Sequence, residues 1–445
     1  MRNSYSDCRQ WAITGGQKLA EILLSIYDID NRSQFAIFII STQRGLLVAI
    51  PEHRASLVRI FLVFLRLRLT SFGGPFAHLG YFRDEFVERR KWLDDHAYAE
   101  LGALCQLLPG PASSQVGIAL GLFRGGIPGA VAAWLGFTLP SAVALVLFGL
   151  VLTSMGSAPD GAWLHGLKIV TVAVIAQALW GMGKKLCPDR ARASLAVAAA
   201  VLVGWLPGML GQIAVIVAGG LVGWAWLSTE STVPHSPLPI ALGRRAGVLA
   251  LSAYVALLIV LPALATQSDN YIFQLFDSFY RAGALVFGGG HVVLPLLQAE
   301  VVPAGWVSND AFLAGYGAAQ AVPGPLFTFA AYLGAVSTKS PNGWLGAPIA
   351  LTAIFLPAFL LVIGALPLWE GVRRHPGMQH AMQGVNAAVV GLLLAALYHP
   401  VWTSAIFTAS DFALASVAFL LLVIWKVPPW LVVILCAVLA GLAGL

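Results

Sequence analysis

The sequence predicts an all-α polytopic membrane protein made of two homologous repeats that contain broken or re-entrant helices. Three observations support this fold class. The 445 residues are 58% hydrophobic and only 10% charged, with a mean hydropathy of +0.81, whereas a soluble chain carries about 25% charged residues. At roughly 20 apolar residues per span, the chain has room for about 12–13 membrane segments. The order of polar and helix-breaking residues in the first half also returns in the second half, which indicates a duplication.

The chain divides into four predicted parts. Residues 1–54 are charged and contain only short apolar runs, so they do not form the apolar core of a signal peptide. We interpret them as an N-terminal extension that is peripheral or poorly ordered. Residues 55–227 form the first repeat, residues 228–269 form a linker with one extra membrane helix, and residues 270–445 form the second repeat.

The first repeat is predicted to begin with an apolar segment from Ser56 to Gly74. A broken segment at 98–122, spans at 127–152 and 163–183, and two short segments within 193–227 follow it. The second repeat matches the first at an offset of about 215 residues. In chain order, the matches pair Arg66 and Phe72-Gly73-Gly74 with Arg281 and Phe287-Gly288-Gly289, Leu139-Pro140 with Leu356-Pro357, and His165-Gly166-Leu167-Lys168 with Gln383-Gly384-Val385-Asn386.

The charge of equivalent loops predicts how the repeats are oriented. The loop at 83–96 contains four Lys or Arg residues, whereas the equivalent loop at 298–310 contains none. Because basic loops stay on the cytoplasmic side, equivalent loops are expected on opposite faces of the membrane. The extra helix at 246–265 supplies the odd crossing that this requires. The sequence therefore predicts inverted repeats.

Each repeat contains a Pro-Gly-Pro sequence between apolar stretches, at 109–111 and 323–325. Proline lacks an amide donor and glycine adopts positive φ, so the helix must break. Inside a membrane, such a break is tolerated only where the backbone is buried in protein or lines a cavity. Two broken helices at matching positions are typical of a transporter's binding site. Hydroxyls and free amides at the following helix start favour an anion there. The first copy is followed by Ser113 and Ser114 and the second by Thr328 alone, so the first is expected to contribute more to anion binding.

Arg66 and Arg281 lie at equivalent positions inside apolar segments. An arginine in the membrane costs on the order of 3 kcal/mol and is expected to face a partner or a cavity. A guanidinium matches the oxygen spacing of a tetrahedral oxyanion, so the predicted ligand is anionic. Snorkelling or a salt bridge that fixes packing is the alternative. Arg59 and Arg68 lack a counterpart, since Gly283 stands where Arg68 would pair, and we interpret both as structural or interfacial.

The predicted substrate-binding residues follow from these features. They are Arg66, Phe72, Gly73, Gly74, Gln106, Pro109, Gly110, Pro111, Ser113, Ser114, Gln115, Arg281, Gly288, Gly289, Gln320, Pro323, Gly324, Pro325 and Thr328. His78, Glu100 and His291 are candidate proton carriers beside them, because a side chain that changes charge near neutral pH can couple transport to a proton gradient. For the histidines, the alternative is a packing role.

The sequence contains no phosphate loop, Rossmann turn, nucleophile elbow or metal-ligand spacing, so it predicts a protein that is not an enzyme and has no cofactor and no metal site. An ion gradient or the membrane potential must then supply the energy. The net charge of +6 lies mostly in short loops that set orientation, so the lipid bilayer is the expected partner and nucleic acid is not. A homodimer is left open. The alternatives are a lipid-diphosphate phosphatase, which would need arginine beside Ser113 or Ser114, and a channel or scaffold.

The motifs Ser71–Pro75, Ala77–Gly80, Gln106–Pro111 and Ser113–Gly117, with their second-half counterparts Phe287–His291 and Gln320–Pro325, resemble the chromate ion transporter family. The resemblance covers about residues 56–445. It implies a secondary transporter of the bacterial inner membrane that exports chromate, a sulfate-like dianion, and confers chromate resistance. Sulfate or another oxyanion is the alternative substrate. The sequence departs from the family pattern in its N-terminal extension and at Arg68, where glycine is expected.

Overall fold

The computed structural model describes residues 56–443 apart from 71–73, 156–160, 207, 228–237, 239–241, 288–289 and 370–375. The predicted extension over 1–54 and residues 228–237 and 239–241 of the predicted linker lie outside the described residues. The described part contains sixteen α-helices and no strand, and Ala55–Leu445 form one compact unit. The predicted all-α polytopic membrane fold is confirmed.

Two series of helices follow one another with the same order of short and long members. The first series consists of α1 (Leu57–Thr70), α2 (Gly74–Arg83, extended by a π-helix over Asp84–Arg89), α3 (Asp95–Leu107), α4 (Ala112–Ser154), α5 (Ala162–Leu186), α6 (Arg190–Trp205) and α7 (Met209–Trp226). Helix α8 (Arg244–Gln267) separates the two series. The second series consists of α9 (Tyr271–Ala284), α10 (Val293–Val301), α11 (Asn309–Ala321), α12 (Phe329–Val336), α13 (Gly343–Ala365), α14 (Pro376–Ala396), α15 (Ala409–Val423) and α16 (Pro429–Ala443).

Helix starts in the two series use capping residues at corresponding places. The Asp94 side chain accepts a hydrogen bond at the start of α3, and Ser308 does the same at the start of α11. Asp189 caps α6 and Thr408 caps α15. An oxygen at the N-cap satisfies an amide that the helix itself leaves free. These caps define where the short helices begin in both halves.

Helix α4 is two segments that fold back on each other at Gly126. Gly126 has φ 64° and ψ −157°, a conformation that glycine adopts without strain. A Cβ placed on Gly129 would lie 2.3 Å from the carbonyl oxygen of Gly121, although eight residues of straight helix would separate these positions by about 12 Å. Gly334 of α12 and Gly346 of α13 make the same contact, with a Cβ-to-oxygen distance of 2.4 Å. The sequence-based boundary between 98–122 and 127–152 falls at this fold-back.

The predicted membrane segments correspond to helices of different lengths, and some of these helices are long enough to cross a membrane. Among the described residues, six helices have the required length and hydropathy: α4, α5, α7, α8, α13 with its 3₁₀ extension, and α14 with its π-helical extension. The other segments are shorter because breaks interrupt them, at the Pro-Gly-Pro turns and before Gly208, whose φ is 91°. Only 11% of the apolar window of helix α8 is buried against the rest of the described chain.

Helices α5 and α14, which occupy equivalent places in the two series, each pack against the last two helices of the other series, an arrangement that we call the crossed packing. Helix α5 contacts α15 and α16, and α14 contacts α6 and α7. Gly166 and Gly384, which the sequence comparison already pairs, lie at the two crossings. A Cβ on Gly166 would lie 2.5 Å from the Cys436 carbonyl oxygen, and one on Gly384 would lie 2.0 Å from that of Gly219. Small residues let membrane helices approach this closely.

Candidate functional site

The two Pro-Gly-Pro turns have the same backbone shape and both contact the opposite series of helices. Gly110 and Gly324 each have φ 120°, a value that L side chains rarely adopt. The amide of Gly110 donates to the carbonyl oxygen of Val286, just after α9, at 2.6 Å. The second turn contacts α1 and α4 of the first series through Arg68 and Ser141. The turns therefore lie where the two series meet.

The second turn packs against a buried arginine. The Arg68 guanidinium is 2% exposed, and a Cβ on Gly324 would lie 2.2 Å from its Cζ. Its Nε donates to Ser141 Oγ at 2.6 Å, and its Nη2 contacts the same oxygen. Ser141 Oγ in turn donates to the Pro323 carbonyl oxygen at 3.2 Å. The Nη1 atom of Arg68 has no hydrogen-bond partner among the residues that the structure describes.

The first turn is lined by neutral polar groups. Gln115 is fully buried, and its Nε2 donates to the Pro109 carbonyl oxygen at 2.7 Å. The Gln115 Oε1 and the buried Ser114 Oγ have no hydrogen-bond partner within the described part of the chain. Buried polar atoms without partners are rare and costly. A ligand that donates or accepts hydrogen bonds would satisfy them.

Hydroxyl groups also surround the second turn, but they are already bonded. Thr328 Oγ1 donates to the Pro325 carbonyl oxygen at 2.8 Å. The Tyr316 hydroxyl lies 2.8 Å from His291 Nδ1 and interacts with the Gln320 side chain. The buried Gln320 Nε2 has no hydrogen-bond partner among the described residues. Two unsatisfied donors are thus associated with the second turn in the described part of the chain: Gln320 Nε2, three residues before Pro323, and Arg68 Nη1 from the first series.

The two predicted arginines are not equivalent in the structure. Arg66 is exposed on α1. Arg281 Nη2 forms ion pairs with Asp277 at 2.7 Å and Glu300 at 2.9 Å, and Ser278 Oγ donates to Glu300 at 2.6 Å. Two carboxylates around one guanidinium leave a formal charge of −1, which repels an anion. The salt-bridge alternative thus describes Arg281 better than the predicted anion site does.

Two of the candidate proton carriers, His78 and Glu100, are buried, and His291 is partly buried. His78 is 1% exposed and packs edge-on against the Phe137 ring. Glu100 is 5% exposed and accepts a hydrogen bond from Trp369 Nε1 at 3.1 Å. His291 is bonded to Tyr316, as above. Their role in proton coupling remains a prediction.

The other predicted site residues are placed as follows. Phe72, Gly73, Gly288 and Gly289 lie outside the described residues, and Gly74 begins α2. Gln106 is exposed, and its Oε1 accepts from Lys185 Nζ at 3.4 Å. Ser113 is buried at the start of α4, after Pro111.

Sequence reasoning assigned Arg68 a structural or interfacial role and did not consider Ser141. A signal for both was present in the alignment of the repeats. Arg68 and Ser141 correspond to Gly283 and Ala358, so both differences between the repeats are polar-for-small replacements. They fall in one contact, because Arg68 hydrogen bonds to Ser141.

Paired breaks in the membrane helices of a duplicated fold are typical of membrane transport proteins. The family model described as Chromate transporter matches residues 58–224 and 273–442, once over each series of helices. The chain therefore belongs to the chromate transporter family, and the resemblance in the sequence motifs is confirmed.

Individual relatives agree with this family. The chain is 29% identical to the chromate transport protein of Pseudomonas aeruginosa over 343 residues, which cover 75% of this chain and 79% of the relative. It is 27% identical to the chromate transport protein of Cupriavidus metallidurans, covering 80% of this chain and 85% of the relative. The uncharacterized transporter YwrA of Bacillus subtilis is 39% identical over 124 residues, which cover 27% of this chain and 67% of YwrA. No solved structure matches the chain.

Proposed function

We propose that this chain is a secondary transporter that carries a tetrahedral oxyanion across the bacterial inner membrane, with chromate as the substrate. The observation that carries the proposal is the pair of identically shaped turns, each joined to the opposite series of helices. Within the described part of the chain, buried donors without partners lie at both turns, Ser114 Oγ at the first and Arg68 Nη1 and Gln320 Nε2 at the second, and they can donate to the oxygens of an anion. Membership of the chromate transporter family supports chromate over other oxyanions.

We assign the direction as export, with chromate resistance as its result. A membrane potential that is negative inside favours loss of anions, and at 100 mV it contributes about 4.6 kcal/mol for a dianion, twice the value per elementary charge. The sequence lacks a nucleotide-binding motif, so the potential or a proton gradient drives the transport. His78, Glu100 and His291 are the proposed proton carriers in the second case.

Alternating access would come from movement of one repeat against the other around the two turns. We propose that residues 55–227 and 270–445 are these repeats and that they are inverted. The crossed packing supports two equivalent units, because the same glycine-mediated crossing occurs at Gly166 and at Gly384. A homodimer is not needed for this scheme, since both turns belong to one chain.

The proposal is tested by uptake of radiolabelled chromate into everted membrane vesicles from cells that express the protein. We expect chromate to accumulate when a proton gradient or a potential is imposed, and the accumulation to collapse with an uncoupler. Vesicles from cells without the protein are the control. Unlabelled sulfate in the same assay measures preference, and stronger competition by sulfate than by chromate would make sulfate the substrate. Absence of uptake under every gradient would reject oxyanion transport, and phosphate release from an isoprenyl diphosphate would then indicate the phosphatase.

Replacing Arg281 by Gln is expected to reduce stability more than substrate affinity. The substitution leaves Asp277 and Glu300, whose side chains are 4% and 10% exposed, without their cation. Removing one partner of a buried pair costs about 3 kcal/mol, and less where one side is partly exposed as here. Thermal unfolding of the purified variant measures this loss, and D277N/R281Q should recover part of it. A stable R281Q protein with a raised KM for chromate would instead restore Arg281 as an anion ligand.

A further inference from the structure

The two repeats differ in polarity at the place where each turn meets the opposite series. At the second turn, Arg68 and Ser141 contact Gly324 and Pro323. At the first turn, the residue equivalent to Ser141 is Ala358, and a Cβ on Gly110 would lie 3.8 Å from the Ala358 Cβ. The position equivalent to Arg68 is glycine, Gly283. A positive charge is therefore present at one of two otherwise similar turns.

The crossing between the first helix of each repeat and the long helix beside it explains how one repeat has arginine and the other glycine at this position. Gly283 lies against the backbone of α13, where a Cβ would be 2.1 Å from the Ile354 carbonyl oxygen. In the first repeat, the close approach is provided by α4 instead, since a Cβ on Gly136 would lie 2.4 Å from the Phe61 carbonyl oxygen of α1. Helix α1 can therefore carry a large side chain at position 68 without losing the tight contact.

The geometry of Arg68 leaves Nη1, which carries two of the five guanidinium N–H groups, without a partner among the described residues. Ser141 Oγ is bonded to Nε and Nη2, which form one edge of the guanidinium, and it donates its single hydrogen to Pro323. Nη1, at the end of the fork, has no hydrogen-bond partner in the described part of the chain. Two parallel N–H groups at this end are the arrangement that binds carboxylate, phosphate and similar oxyanions bidentately.

The charge of Arg68 is also uncompensated. Its side chain is 2% exposed, and no carboxylate of the described residues forms an ion pair with it. A buried charge without a counter-charge is strongly unfavourable. Ser141 and the carbonyl oxygen behind it fix the orientation of the guanidinium but do not neutralise it. An anion at Nη1 would supply both the missing charge and the missing hydrogen-bond acceptor.

We infer that Arg68 is an anion ligand, that Ser141 positions it, and that the second Pro-Gly-Pro turn holds the tetrahedral dianion in this chain. The inference rests on the proposed function and assigns the binding charge to one turn. It also replaces the symmetric pair of Arg66 and Arg281 by a single asymmetric site. Gly324 belongs to that site because a side chain there would occupy the volume of the guanidinium.

The test is the concentration dependence of chromate uptake into everted vesicles for wild-type protein, R68G, R68K and S141A. R68G introduces the residue that stands at the equivalent position of the second repeat. We expect it to raise the KM for chromate at least tenfold, with a maximal rate within about threefold of wild type once corrected for protein amount. R68K keeps the charge but loses the fork, and we expect a threefold to tenfold rise in KM. S141A should raise KM to a similar degree, since Arg68 remains but is no longer oriented.

R59G is the matched control, because it replaces an exposed arginine of the same helix by glycine. We expect its KM to stay within twofold of wild type, so that an effect of glycine on helix α1 is separated from loss of the ligand. As a second readout, sulfate or chromate should raise the melting temperature of purified wild-type protein, and this shift should be lost in R68G.

Three outcomes are distinguishable. A rise in KM for R68G and R68K, with R59G unchanged, supports Arg68 as the ligand. Active wild-type vesicles with unchanged KM in R68K and S141A overturn the inference and leave the proposed function intact, even if R68G fails to fold. Wild-type vesicles that accumulate no oxyanion overturn the proposed function and this inference together.

Discussion

Gly324→Ala is expected to lose almost all transport and to destabilise the protein by about 3 kcal/mol or more. Two costs add at this position. The backbone has φ 120°, which places strain of about 1–3 kcal/mol on any residue with a Cβ. The new methyl group would also lie 2.2 Å from Arg68 Cζ and 2.4 Å from its Nε. Because Ser141 holds the guanidinium, the side chain cannot move aside without breaking its hydrogen bonds.

The measurements are the melting temperature of purified G324A protein and its chromate uptake in vesicles. Gly305→Ala is the matched control, since Gly305 also has positive φ, 69°, but a Cβ there meets nothing within 4 Å. We expect G305A to cost about 1 kcal/mol and to transport normally. Gly110→Ala should fall between them, because it shares the φ of Gly324 but meets the end of the Gln115 side chain.

The double variant R68G/G324A separates the backbone strain at position 324 from the steric clash between its new methyl group and the Arg68 side chain. If the contact with Arg68 contributes as described, the double variant should be more stable than G324A alone, which is a coupling of the kind that double-mutant cycles measure. Equal stability of the single and double variants would mean that backbone strain alone accounts for the loss. A G324A protein with normal stability and uptake would contradict the close approach of Arg68 to the turn.

Gly384→Ile is expected to separate α7 from α14 and to prevent assembly of the compact fold. A Cβ on Gly384 would lie 2.0 Å from the Gly219 carbonyl oxygen and 2.7 Å from the Gly223 Cα. These are backbone atoms of a packed helix, so no rotamer change relieves the contact. Overpacking of this kind costs about 1–3 kcal/mol in soluble cores, and more where backbone must move. Gel filtration in detergent and thermal unfolding would report loss of monodisperse, cooperatively melting protein.

Gly204→Ile is the control for this variant. Gly204 also lies in a membrane helix of the first series, α6, but a Cβ there meets nothing within 4 Å. G204I should therefore assemble as the wild type does. Gly166→Ile tests the equivalent crossing, where the Cβ would lie 2.5 Å from the Cys436 carbonyl oxygen, and it should resemble G384I. Normal assembly of G384I would show that α7 and α14 are not packed as closely as described.

Local features of the fold were predictable from the sequence because they depend on nearby residues. The breaks at Gly110 and Gly324 follow from missing amide donors and the freedom of glycine. The repeat was visible because Gly166 and Gly384 occupy matching places in the two ordered sets of polar and helix-breaking residues. The structure places both glycines at helix crossings. The boundary between the predicted segments 98–122 and 127–152 falls where α4 folds back at Gly126.

The partners of the buried charges could not be predicted in the same way. Arg281 is paired with a residue of its own helix, Asp277, and with Glu300 of a later one. Arg68 finds Ser141 on another helix and a turn in the other repeat. These tertiary contacts decide which arginine has a carboxylate beside it. They cannot be read from the position of an arginine in an apolar segment. The most informative signal was the joint replacement of Gly283 and Ala358 by polar residues in the first repeat.

The crossed packing also has a consequence for biosynthesis. During translation, α5 is complete long before α15 and α16, which cover it in the finished protein, have left the ribosome. The surface of α5 around Gly166 must therefore contact lipid or an insertion chaperone until α15 and α16 have been synthesised and inserted. Nascent chains of this kind expose unfinished surface and are prone to misassembly. Removal of residues 429–443 would leave that surface permanently open, and we expect the truncated chain to be degraded by membrane proteases.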